Sequence, residues 1–299
     1  LMELGQALCG VSGILVTPFD ESGAIDPPRL IPVIDRAVAA GVGILTVNGN
    51  TGEFYGLSTS EAASMVQSVC KLVDGRVPVV AGIGRALPDA IALTHASVAA
   101  GADALMIHQP PDPFVAPRGV CDYIRAIRDA AGEVPLILYL RNDGGGLDAI
   151  SQMCSIAGVI GVKWATPNPM VLKRAIAVAP DQITWVGGLA EVWAPSFYAV
   201  GARGFTSGLI NVWPEHSVSI NRALEAGDFD HARRLIETMK VFEDIRAAEQ
   251  GGANVSGVKA ALAMLGNDCG AARPPAAWPL NDDQQATLKH FMIKNGLIS

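Results

Sequence analysis

Charge is scarce in this chain. Of its 299 residues, 17% are Asp, Glu, Lys or Arg, and only seven are lysine. The net charge is −7, with no basic run and no arginine-rich arm, which argues against nucleic acid or an anionic membrane as the main partner. Aromatic residues make up 6% and are dispersed, so no stacking platform for nucleic acid is expected. The five cysteines (Cys9, Cys70, Cys121, Cys154 and Cys269) are odd in number, scattered, and form no Cys-x-x-Cys pair. That pattern speaks against a disulfide scaffold or a zinc site and for reduced thiols in a cytoplasm. Mean hydropathy is +0.31, yet no apolar run is long enough to span a bilayer. No basic segment followed by an apolar stretch opens the chain, so no signal peptide is expected.

What the chain does have is apolar residues, half of the total, and a regular way of spending them. Short runs of Val, Ile, Leu and Ala recur at 13–19, 43–48, 78–83, 102–108, 135–141, 159–165, 183–189 and 204–211, each followed by a helical pattern. Near-continuous apolar strands belong to a sheet covered on both faces, which is the parallel arrangement. Eight such units predict an α/β fold, a closed (β/α)8 TIM barrel. A doubly wound open sheet is the competitor; no Gly-x-Gly-x-x-Gly turn follows the first run to support it. Asp26 before Pro27 and Pro28, a capping box from Ser58 to Glu61, and Asn168 before Pro169 read as helix starts. Gly41, Gly101 and Gly201 read as helix ends. Residues 214–226, 228–250, 253–265 and 281–295 read as helices with no strands between, and 270–279 is the most linker-like stretch. The expected organisation is a barrel over 1–226 and a C-terminal helical extension over 227–299, both in one structural unit.

Six of the seven lysines fall in helical segments, where a solvated charge is the ordinary state. Lys163 alone ends an apolar run that reads as a buried strand. A buried ammonium either pairs with an acid or loses its proton. The neutral amine is a nucleophile toward carbonyls. A structural ion pair, or a strand-end charge that snorkels to water, is equally open on this feature alone. Active sites of barrels lie where strands end, which brings Tyr139 and Lys163 to one mouth although 24 residues separate them. The loop Asn48-Gly49-Asn50-Thr51-Gly52-Glu53 ends strand two. Its glycines permit close backbone approach, and its amides with the Thr51 hydroxyl suit a carboxylate. An ordinary turn is the alternative.

The Asn48 to Glu53 loop, the Tyr139 strand and Gly161-Val162-Lys163-Trp164-Ala165-Thr166 occur in this order. With Thr17-Pro18-Phe19 and Gly257-Val258-Lys259-Ala260-Ala261-Leu262, they resemble the dihydrodipicolinate synthase / N-acetylneuraminate lyase superfamily over essentially the whole chain. The resemblance implies a barrel with a C-terminal helical extension, assembled as a homotetramer, a dimer of dimers. It implies a Schiff-base lyase acting on 2-keto acids with no metal and no other cofactor. Lys163 would be the Schiff-base lysine and Tyr139 the proton-relay residue, with the substrate carboxylate against Asn50 and Thr51.

The chain departs from dihydrodipicolinate synthases at three places. Pro110-Pro111-Asp112-Pro113 stands where they carry a tyrosine pair, Asn50 where they carry threonine, and a short Asn142-Asp143-Gly144-Gly145-Gly146 loop where an arginine follows. Four other stretches resemble 5-dehydro-4-deoxyglucarate dehydratases: residues 51–58, Tyr139-Leu140-Arg141-Asn142, Ala190-Glu191-Val192-Trp193-Ala194-Pro195, and 206–211 with Pro214. Arg141 suits a second carboxylate or a surface pair with Asp143. Ser207 and Asn211 suit substrate hydroxyls or the backbone at the end of strand eight. Glu53 reads as a carboxylate bonded within its loop, and His108 as a satisfied rim residue. His95, His216, His231 and His290 fall in helices. The expected function is a class I lyase on a small 2-keto acid, of the 5-dehydro-4-deoxyglucarate dehydratase/decarboxylase type. A pyruvate-dependent aldolase or dihydrodipicolinate synthase, or a non-catalytic keto-acid sensor, remains an alternative.

Overall fold

The computed structural model describes residues 2–143 and 145–299. Gly144, in the short loop noted above, lies outside the described residues. Eight strands close into a parallel barrel in sequence order: β1 (Val11–Ile14), β2 (Ile44–Val47), β3 (Val79–Ile83), β4 (Ala104–His108), β5 (Leu136–Leu140), β6 (Val159–Trp164), β7 (Thr184–Gly187) and β8 (Phe205–Ser207). The open-sheet alternative is thereby excluded.

The strands are apolar on both faces because each serves two cores. Side chains at Ile44, Val80, Ala104, Met106, Ile137, Tyr139 and Val186 fill the barrel interior. Their neighbours, such as Leu45, Leu105, Leu138 and Val162, join the layer under the surrounding helices. Those helices are α2 (Ile31–Ala40), α3 (Thr59–Val73), α4 (Leu87–Ala99), α5 (Pro117–Ala131), α6 (Gly146–Cys154), α7 (Pro169–Val178), α8 (Ala190–Tyr198) and α9 (Pro214–Glu225). The sequence pattern did not reveal α1 (Met2–Leu8). Leu4 and Leu8 of this helix enter the interior cluster. They close the end of the barrel opposite the mouth, where Gly161 leaves room: a Cβ there would stand 3.2 Å from Leu8 Cδ1.

Helix starts follow the sequence signals with one exception. Ser58 and Glu61 form the capping box of α3, and Asn168 caps α7 through the Val171 amide. Asp26 caps nothing; a 3-10 turn, Pro27–Leu30, follows it, and its carboxylate takes the Arg29 guanidinium at 2.8 Å. The first run extends past its strand, which ends at Ile14, and the last ends at Ser207 with a 3-10 turn (Leu209–Asn211) beyond it.

After α9 come α10 (Phe229–Ala247), α11 (Asn254–Met264) and α12 (Asp282–Lys294). Phe242 of α10 stacks on Phe291 of α12 at 6.0 Å. The linker-like stretch is in fact a strap. The Cys269 carbonyl accepts the Phe19 amide at 2.9 Å, the Arg273 amide donates to Glu53 at 2.7 Å, and the Ala271 carbonyl takes Lys259 Nζ at 3.0 Å. Lys259 is fully buried and ion-paired with Glu53 at 2.7 Å, so one helical lysine is not a solvated charge.

Candidate active site

Register builds the site. Across three neighbouring strands His108 pairs with Tyr139 and Tyr139 with Lys163. All three side chains therefore enter the barrel at one level, just below the mouth. Lys163 Nζ lies 4.0 Å from the centre of the Tyr139 ring. Gly188, after β7, clears the other side: a Cβ there would stand 3.0 Å from Lys163 Cγ.

Lys163 is 5% exposed and has no acidic partner among the described residues. Burial brings its ammonium down to about 7, and the charges of Arg141 and Arg246 push the same way. A large fraction of the amine is therefore neutral at physiological pH. Tyr139 goes the other way, raised to about 12 mainly by burial, so its phenol keeps its proton. Asn50 Nδ2 donates to the Tyr139 hydroxyl at 3.0 Å. Since an amide NH2 can only donate, the phenol accepts there and its own proton points elsewhere. A neutral amine beside a protonated phenol can add to a carbonyl and have the departing oxygen protonated.

His108 is buried against this pair. It stacks on Phe54 at 4.2 Å, and its Nε2 meets the Asn48 carbonyl at 2.8 Å. Burial drives it to about 3, so it is a neutral brace for the strand-two loop. No group of three or more His, Cys, Asp or Glu side chains is placed to hold a metal among the described residues.

The strand-two loop lies beside β1. Gly49 is required by packing: a Cβ there would fall 2.5 Å from Ile14 Cγ2, and one on Gly52 would fall 2.9 Å from the Leu15 carbonyl. Both glycines therefore let the loop lie close against β1 and the residue that follows it. Thr17 Oγ1 bonds the Gly52 carbonyl at 2.6 Å. Thr51 is 5% exposed. Glu53 is bonded outside its own loop, to Arg273 and Lys259 of the extension, contrary to the sequence reading.

Arg141 stands exposed at the mouth. It forms no ion pair with Asp143 among the described residues, and its amide is held by Gln109 Oε1 at 2.7 Å. Ser207 and Asn211 are fully buried. Ser207 contacts Ser217 at 3.0 Å. Asn211 donates to the Ile14 and Gly208 carbonyls, both at 2.8 Å, and accepts the Val16 amide at 3.2 Å. Its amide is a clip between β1 and the turn after β8, which is the backbone role, not the hydroxyl-ligand role, of the two open to Asn211.

Sequence reasoning missed Arg246, and it quoted Glu191 within a stretch of resemblance without giving that carboxylate a role. Arg246, on α10, reaches Thr51 Oγ1 at 3.4 Å. Glu191, in the first turn of α8, is fully buried and receives Ser217 Oγ at 2.6 Å. Burial and then the Glu243 charge raise it to about 7. A Glu243-x-x-Arg246 pair in an amphipathic helix is too common a pattern to have marked the site.

Fold and site together define a barrel lyase of the aldolase/dehydratase class that works through a lysine Schiff base. The chain belongs to the dihydrodipicolinate synthetase family, whose model matches residues 7–294. Family members act on small keto acids and are typically oligomeric. The chain is 30% identical to a 4-hydroxy-tetrahydrodipicolinate synthase of Pelobacter propionicus, over 95% of this chain and 97% of that one. It is 28% identical to a probable 5-dehydro-4-deoxyglucarate dehydratase of Allorhizobium ampelinum, over 91% and 92%. The crystal structure of dihydrodipicolinate synthase from Bacillus clausii superposes with a TM-score of 0.93 at 37% identity, covering 98% of this chain and 99% of that one. No helix among the described residues is long and apolar enough to cross a membrane.

Proposed function

We propose that the protein is a dehydratase/decarboxylase of the 5-dehydro-4-deoxyglucarate type, with Lys163 as the Schiff-base lysine and Tyr139 as its proton relay. The observation that carries the Schiff-base chemistry of this reading is the buried Lys163, without an acidic partner among the described residues and packed on Tyr139. The neutral amine attacks the C2 carbonyl. Tyr139 returns a proton to the carbinolamine hydroxyl, which leaves as water and gives the imine. The imine draws electrons from C3, so that Tyr139, left as a phenolate by the previous step, takes a proton from C3 and passes it to the C4 hydroxyl, which departs as water. Loss of carbon dioxide and hydrolysis then free Lys163. Asn50 keeps Tyr139 oriented, and Thr51 holds the substrate carboxylate, so attack starts from a positioned pair.

Arg141 favours a substrate with a second carboxylate, since it is a cation at the mouth outside any ion pair among the described residues. The β4 loop, with Pro110 and Pro111, offers no tyrosine to a second relay, which weighs against dihydrodipicolinate synthesis. Retro-aldol chemistry shares the imine and is the second reading, favoured by the likeness to the synthases. The barrel (1–226) and extension (227–299) are proposed to act as one unit, joined through Glu53. A homotetramer in the cytoplasm agrees with the family's oligomers and with five free cysteines.

Turnover decides between these readings. Incubation with 5-dehydro-4-deoxyglucarate is expected to release one carbon dioxide per keto acid consumed. Pyruvate formation without carbon dioxide would replace the dehydratase with an aldolase. A lysine adduct without turnover would leave a keto-acid sensor.

A further inference from the structure

Arg246 is distant in sequence from the strand-two loop, yet its guanidinium reaches that loop at Thr51. It is 7% exposed. Glu243 holds its Nη1, and Asn254 Oδ1 takes its Nε at 3.0 Å and its Nη2 at 2.6 Å. A guanidinium carries five N–H donors in a rigid fork, so these partners fix the plane of the group. The remaining contact of Nη2 is the long one to Thr51 Oγ1, 3.4 Å, on the side of the strand-two loop.

Room has been left for this side chain at two places. A Cβ on Gly208, at the end of β8, would stand 2.4 Å from Nη2. A Cβ on Gly257, in α11, would stand 3.1 Å from Arg246 Cγ. The same loop is held from its other end by Lys259 and the Arg273 amide, both on Glu53. The extension thus fixes Thr51 and Glu53 from two directions, and it delivers a cation whose charge is felt at Lys163.

We propose that Arg246 is a substrate-binding residue, which joins Thr51 on the carboxylate adjacent to the keto group and gives that carboxylate a fixed cation. This rests on the Schiff-base reading above. Nη2 donates to one carboxylate oxygen and the Thr51 hydroxyl to the same group. Glu243 stays on the opposite edge of the fork, so both carboxylates are served by one guanidinium.

The test compares pyruvate with its uncharged methyl ester, each trapped on the wild type and on Arg246→Met by borohydride and read by intact mass. The wild type is expected to prefer the acid. Arg246→Met is expected to raise the half-trapping concentration of pyruvate relative to that of the ester by roughly 10- to 100-fold, the range for a bond to a charged group; the loss that both ligands share through the amine of Lys163, which feels the Arg246 charge, cancels in that ratio, so the preference collapses. Loss of packing alone would weaken both ligands together. Arg246→Lys keeps the charge without the fork and is expected to fall between; it carries the comparison if the Met variant does not fold. An acid-to-ester preference unchanged in folded variants would overturn the role of Arg246. Absence of any adduct in the wild type would instead fall on the Schiff-base reading.

Discussion

Two lysines of this protein are buried, and their surroundings make them different chemical species. Lys163 is 5% and Lys259 0% exposed. Each lies over an aromatic ring, Tyr139 at 4.0 Å and Phe19 at 4.2 Å, and burial lowers both ammonium groups. Lys259 has the Glu53 carboxylate at 2.7 Å and a carbonyl at 3.0 Å, so its charge is compensated and it works as a rivet. Lys163 has no acidic partner among the described residues; the charges of Arg141 and Arg246 act on it, and it packs on a phenol that keeps its proton. A partner, not burial, separates a structural lysine from a nucleophile.

The comparison breaks most sharply if each lysine is removed in turn. Lys163→Met is expected to abolish adduct formation and lower turnover by roughly 10⁴-fold or more, measured by steady-state assay. Tyr139→Phe, which keeps the ring under Lys163 but removes the proton, is expected to cost about 10²–10⁴ in kcat with the adduct still trappable. Lys259→Met leaves Glu53 buried without its ion-pair partner and is expected to cost about 3–5 kcal/mol by denaturant unfolding. Glu53→Gln added to that variant should recover much of the loss.

The smallest effect sharpens the contrast through pH. The rate of adduct formation should rise as pH increases through about 7, where Lys163 loses its proton. Stability carries the same signature. The folded pKa of Lys163 lies below its ordinary 10.5, so the unfolded chain binds the extra proton between the two values, and stability climbs with pH across that window. Below it the full penalty applies. Lys163→Met should therefore be more stable than the wild type by about 1–3 kcal/mol at neutral pH, an advantage that shrinks toward pH 10.

The barrel was legible because its signal is repeated: eight apolar runs, each followed by a helix, leave few other folds. Lys163 was legible because a lysine ending an apolar strand breaks the local rule, and such breaks mark sites. Lys259 broke no rule that can be seen in sequence. It sits in a helix, and only the tertiary approach of Glu53, 206 residues away in sequence, buries it. Arg246 was hidden for the same reason, since its meeting with Thr51 is a product of how α10 packs. Gly49 and Asn211 were left open between ligand and backbone roles, because residues at strand ends suit either; here Gly49 packs on Ile14 and the Asn211 amide is taken by backbone groups of β1 and its neighbours. Composition can mark a residue as costly; it cannot say which neighbour meets the cost.

Borohydride reduction of the wild-type protein in the presence of pyruvate, followed by peptide mapping, addresses the two lysines at once. The expected result is a single reduced adduct, on Lys163, with Lys259 unmodified. An adduct on Lys259, or none on Lys163 in folded protein, would contradict it.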